Sequence, residues 1–333
     1  MIVFQKLLPG LQGEATACRP RYAAVFSMLA STDASRSLIR RFFIFAALVV
    51  AGWPALPAMS YADGLEGLGI LLDSGYSYDN NLTHAGNPAD KRSDSALHLN
   101  LSGNKAVTLS EHTRLVLSGF IDTEAFARYG GLDRLSADAE AEYMYRPSGE
   151  FEAPTFGFVT GAGRDEFRSD LRKNDHYSAG ITFRQPVTDR INLYAALKDN
   201  ISRSDTAVFH TRETSTQLNL DYALSNASTL YLTGVYRVGD IVSTVLPSLS
   251  YRENAAAWIN DDVFTAGQAM RDYRLKGKTG VVTLGYNLAF AGKKSFDVSW
   301  RYARSTADSA ADYASSAIKY VGSQFAIDYL VGF

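Results

Sequence analysis

Apolar and polar residues alternate over most of the chain. The plainest stretch sets Ala137, Ala139, Ala141, Tyr143 and Tyr145 on one face and Asp138, Glu140 and Glu142 on the other. A side-chain period of two belongs to a β-strand rather than a helix. The pattern recurs in Leu68, Ile70, Leu72, Tyr76 and Tyr78, in Leu97, Leu99 and Leu101, and in Leu115, Leu117 and Ile121. After the 137–145 strand come Phe156 and Phe158, then Tyr177, Ala179, Ile181 and Phe183, then Ile191, Leu193, Ala195 and Leu197. Leu218, Leu220, Tyr222 and Leu224 precede Leu230, Leu232 and Tyr236, and Val282, Leu284, Tyr286 and Leu288 precede Phe296, Val298, Trp300 and Tyr302. The last strand carries Phe325, Ile327, Tyr329, Val331 and the terminal Phe333 on one face. Short polar turns such as Ser110-Glu111-His112, Pro147-Ser148-Gly149 and Ser225-Asn226-Ala227-Ser228 join successive strands, which makes the neighbours antiparallel. The count is about 12, and the irregular ninth and tenth strands set bounds of roughly ten and 14.

The start of the chain gives these strands a destination. Arg36, Arg40 and Arg41 precede the apolar run Phe42 to Val50, and Ser60-Tyr61-Ala62 offers small residues where signal peptidase cuts. This is the anatomy of a secretory signal peptide, with a mature chain from Asp63. The run is too short to be a spanning helix, which needs about 20 apolar residues. Residues 1–27 fit no part of a signal peptide, and Met28 is a natural start, so 1–27 reads as a misassigned upstream extension. Residues 63–333 then form one domain. Its later apolar runs are also too short for a helical span, and an exported chain that must satisfy its backbone inside a bilayer without helices closes into a barrel.

The terminal Phe325–Phe333 pattern resembles the C-terminal insertion signal of bacterial outer-membrane β-barrels. That resemblance implies an all-β fold, a transmembrane antiparallel up-and-down barrel, in the outer membrane of a Gram-negative bacterium. It also implies contact with membrane lipids and lipopolysaccharide, and with the barrel assembly machinery during biogenesis. Tyr78-Asp79-Asn80-Asn81-Leu82-Thr83 is similar to a Tyr-Asp-x-Asn motif that ends the first strand of many proteobacterial barrels. Among them are the barrels of surface lipoprotein assembly modifiers and of polysaccharide-export operons.

Composition narrows the chemistry. Cys18, the single cysteine, lies before the cleavage site, so the mature chain has neither disulfides nor thiolate sites. Of 33 basic and 35 acidic residues, six basic ones (Lys6, Arg19, Arg21, Arg36, Arg40, Arg41) precede residue 63, against two acidic ones (Glu14, Asp33). The mature chain is therefore acidic, and no nucleic-acid partner is expected. The five histidines show no metal-ligand spacing, and neither a metal nor a cofactor is expected.

With the apolar face toward lipid, Asp138, Glu140, Glu142, Arg164, Arg184, Lys198 and Arg301 are expected to line the lumen, because a charge on the lipid face near the midplane costs about 2–4 kcal/mol. They serve either a water-filled passage or a closed, cross-braced interior. The longest loop, Gly239 to Arg271, holds Trp258, Asp261, Asp262 and Phe264, and folds either into the mouth as a lid or onto the rim. His176-Tyr177-Ser178 resembles the His-x-Ser of outer-membrane phospholipase and lipid A deacylase barrels, which would imply a lipid esterase. Here Tyr177, Ala179, Ile181 and Phe183 claim the lipid face, which turns His176 and Ser178 inward, and Ala179-Gly180 replaces the phospholipase's Asn-Gly. The leading expectation is a porin-like channel or export pore for small polar or saccharide solutes rather than an enzyme. The alternative is a non-conducting scaffold with an envelope protein partner.

Overall fold

The computed structural model describes residues 68–264, 269–290, 293–308 and 318–333. The expected signal peptide and the expected upstream extension fall within residues 1–62, outside the described residues. Thirteen antiparallel strands form one sheet, and twelve of them encircle a closed barrel. The twelve are β1 (Gly69–Asp79), β2 (Asp94–Thr108), β3 (Thr113–Phe126), β4 (Arg134–Tyr145), β5 (Thr155–Phe167), β6 (Asn174–Pro186), β7 (Ile191–Arg203), β8 (Thr211–Ala223), β9 (Ser228–Val245), β11 (Arg271–Phe290), β12 (Lys294–Ala307) and β13 (Lys319–Gly332). Each pairs with its sequence neighbour, and β1 pairs with β13 from Leu71↔Gly332 to Asp79↔Gln324, which closes the ring and leaves no edge. The extra strand, β10 (Ala257–Asn260), pairs with the start of β11, above the level where β12 takes over.

The alternation fixes which way each strand faces. Leu97, Phe158, Ile181, Leu218, Val298, Phe325 and Ile327 are each about half exposed or more on the outside. Rings gather at the turn end of this belt, where Phe290, Phe296 and Tyr329 stack on one another and Phe156 stacks on Phe183. An apolar outer band with an aromatic rim and a polar interior is the reverse of a soluble barrel. The terminal strand behaves accordingly. Val331 pairs with Leu72 and Lys294, and the amide of Phe333 donates to the carbonyl of Ile70.

One expected lumen residue lies elsewhere. Arg164 shares the even parity of Phe156 and Phe158, so it points outward, where it pairs with Glu166 and Asp175. With the outward Arg212–Asp199 pair it marks the loop end of the belt. The cost of an outward charge falls to about 0–1 kcal/mol near the interface, and the expectation ignored depth.

The long loop is also shorter than expected. β9 continues past Gly239 to Val245, and paired with β11 it projects beyond the belt. At Gly239, φ is +152°, and an added Cβ would lie 2.3 Å from the carbonyl oxygen of Arg212, so this position requires glycine. Pairing between β8 and β9 ends there.

Candidate functional site

The loop end of the barrel is covered by a folded cap. Above Gly239 the β9 edge no longer meets β8, and the amide of Thr244 instead donates to Thr83 of the β1–β2 loop, while Ser243 Oγ donates to the carbonyl of His84. That loop leaves the barrel four strands away, so the β9–β11 hairpin leans over the mouth. Ala85, Val245 and Tyr273 form one apolar cluster at this contact. Val208 and Phe209 of the β7–β8 loop pack on Val242 in a second.

The third cluster spans the mouth. Phe264 is buried against Leu132 of the β3–β4 loop and Met270, with Leu82, Tyr129 and Val263 beside them. β3 and β9 stand opposite one another in a twelve-strand ring, so the loop carrying Phe264 reaches the far wall. Of the four residues expected in a lid, Asp261, Asp262 and Phe264 lie in this crossing segment. Trp258 sits apart on β10, partly exposed between the Arg252 and Arg271 guanidiniums.

A buried charge cluster holds the crossing segment. Arg172, in the short β5–β6 loop, is 1 % exposed. It bonds to Asp261 and to both oxygens of Asp272 at 3.0 and 3.1 Å, lies 3.7 Å from Asp262, and stacks on Phe209 and Phe264. Thr244 Oγ1 donates to Asp272, Ser169 Oγ donates to Asp262, and Asp261 accepts the amides of Val263 and Phe264. One guanidinium thus ties together three loops and the β11 extension. Sequence reading missed Arg172 and Asp272, because a lone arginine in a charged loop looks like a solvated one. Nearby, burial raises the Asp133 carboxyl above its ordinary range despite the Phe126 amide and the Arg168 guanidinium. Burial, with the Arg301 and Arg237 charges, lowers the His84 imidazole to about 3.

Below the cap, Asp138, Glu140, Glu142, Arg184, Lys198 and Arg301 all face inward. Their partners run along the wall. Glu142 of β4 binds Arg184 of β6 at 2.6 and 2.9 Å, Glu140 binds Lys198 of β7 at 3.3 Å, and Arg301 donates to Gln324 on the next strand. The pairs from β4 cross β5 because its inward positions include Gly157, Gly161 and Gly163. A Cβ at Gly157 would sit 2.7 Å from Glu142 Oε1, and one at Gly163 2.1 Å from Asp138 Oδ1. Tyr231 of β9 reaches Asp297 of β12 in the same way, over Gly285 of β11.

His176 and Ser178 face inward, as the parity of β6 required. His176 Nε2 bonds to Asp138, and Nδ1 lies 3.3 Å from Asp165. Both ring nitrogens thus face carboxylates rather than Ser178.

These features together decide the class: a closed antiparallel ring, an apolar outer belt with an aromatic rim at its turn end, and charges held inside. The chain is a transmembrane antiparallel β-barrel. No known family model and no curated protein matches it in sequence. Its fold is similar to an outer-membrane channel from Pseudomonas putida F1, at 11% identity and a TM-score of 0.48, over 84% of this chain and 100% of that one. It is similar to a KdgM porin in complex with disordered oligogalacturonate, at 10% identity and 0.41, over 79% and 99%. LpxR from Salmonella typhimurium aligns at 9% identity and 0.32, over 77% and 99%.

Proposed function

We propose that the protein is a porin-like outer-membrane channel for small polar or saccharide solutes, closed at its loop end by the cap. The observation that carries this reading is the direction of the lumenal pairs. Each one described above joins strands at most three apart, so these pairs lie along the wall. Polar, wall-bound charge is what a water-filled passage uses to select solutes. The Arg172 cluster and Phe264 then act as the gate, and lipopolysaccharide surrounds the outward Arg164 and Arg212 rim.

The test uses the contact between Ser169 and Asp262. With Cys18 upstream of the expected cleavage site, a Ser169→Cys/Asp262→Cys variant carries one pair of thiols. In planar bilayers the oxidised variant should stay shut, and a reductant should restore at least the conductance of the unaltered barrel. Silence of the reduced variant and of an Arg172→Ala barrel alike would reject the channel and leave the scaffold reading, which the ordered cap also fits.

A further inference from the structure

Among the described residues one further cluster converges on a point in the lumen, on the wall formed by β2, β1 and β13. His98 Nε2 lies 2.8 Å from Asp328 Oδ1 and 4.0 Å from Asp73 Oδ1, and all three ligand atoms lie within 4.8 Å of one another. We propose that Asp73, His98 and Asp328 bind a first-row divalent transition metal, of the Zn²⁺ or Mn²⁺ kind.

Three arguments support a chelate over a simple ion pair. The first is convergence. Both carboxylates approach the same ring nitrogen, whereas the carboxylates around His176 take opposite nitrogens and share no point. The lumen thus holds two Asp-His-Asp groups, one with the geometry of a brace and one with that of a site. The second is space. Bonds of about 2.0–2.2 Å to a metal keep adjacent donor atoms about 3–4 Å apart, close to the 2.8 and 4.0 Å separations from His98 Nε2. The third is Gly75, which faces His98 on one side and Asp328 on the other in register. A Cβ there would lie 2.0 Å from Asp328 Oδ1 and 2.6 Å from His98 Cε1. One imidazole with two carboxylates suits zinc, manganese or iron better than calcium. Three protein ligands leave the remaining positions open to water or solute from the lumen.

The proposal holds whether or not the barrel conducts, because binding is measured directly. Calorimetric titration of the folded barrel in detergent with Zn²⁺ should show one ion per chain. His98→Ala and Gly75→Ala should each weaken binding at least about tenfold, while His176→Ala should not. X-ray absorption of the zinc-loaded protein should show a single imidazole among oxygen ligands. Folding of each variant is checked by its heat-dependent shift on a gel, and Asp328→Asn, nearly isosteric, serves if another variant misfolds. Absence of stoichiometric binding by the unaltered barrel, or equal binding by folded His98→Ala and Asp328→Asn barrels, would overturn the site.

Discussion

Single glycines decide where the lumenal charges meet. On β5, Gly157, Gly161 and Gly163 remove the side chains that would separate β4 from β6, and Gly75 and Gly285 do the same on β1 and β11. The glycines therefore set charge geometry without touching a turn. Gly163→Ala should push Asp138 and His176 apart and cost about 1–3 kcal/mol, as an overpacked contact does. The measurement is the temperature at which the folded band is lost on a gel. An unchanged temperature would mean that the Asp138–His176–Asp165 group adjusts freely. The signal was present in the sequence, since alternate glycines in a strand mark close approach. Which residues approach was not, because Asp138 and His176 are 38 residues apart.

At the scale of elements, the β9–β11 hairpin and its loop are the least repetitive part of the barrel. β9 and β11 outgrow the belt, and Gly239 releases β9 from β8 so that the extension leans over the mouth. The cap then depends on a buried guanidinium with carboxylates around it. Removing one partner of such a cluster leaves uncompensated charge, at about 3–5 kcal/mol. Arg172→Ala should therefore loosen the cap while the barrel keeps its fold, seen as faster protease cleavage between Leu246 and Phe264 and as higher open probability in bilayers. Unaltered cleavage would show that the apolar clusters hold the cap alone. The loop's apolar content already set it apart from a solvated coil. Its anchor was not legible, because Arg172 and Asp261 meet across 89 residues and neither neighbourhood advertises the other.

For the whole molecule, the inward face is acidic. Asp73, Asp122, Glu124, Asp138, Glu140, Glu142, Asp165, Asp221, Asp297 and Asp328 outnumber Arg114, Arg134, Arg184, Lys198, Arg237 and Arg301. An open barrel should prefer cations, with a reversal potential in a salt gradient to match. The preference should fade toward 1 M salt, where the screening length is about 3 Å. Anion selectivity at low salt would contradict this account of the lumen.

The strands, their near-even spacing and their lipid-facing parity were legible along the chain. Each of these is a local property: a period of two along one segment, a turn after it, an aromatic residue at its end. A count of about 12 strands, an inward His176 and an apolar, aromatic terminal strand all followed. Arg164 shows the limit, since parity was legible and depth in the membrane was not. The tertiary structure alone decided what lies between strands. It brought Asp73, His98 and Asp328 to one point, laid the charged pairs along the wall over glycines, and joined Arg172 to a loop from another side of the mouth. Closure of the ring is the physical reason, because register between strands far apart in the chain sets which side chains share a level, and no window on the sequence contains that register.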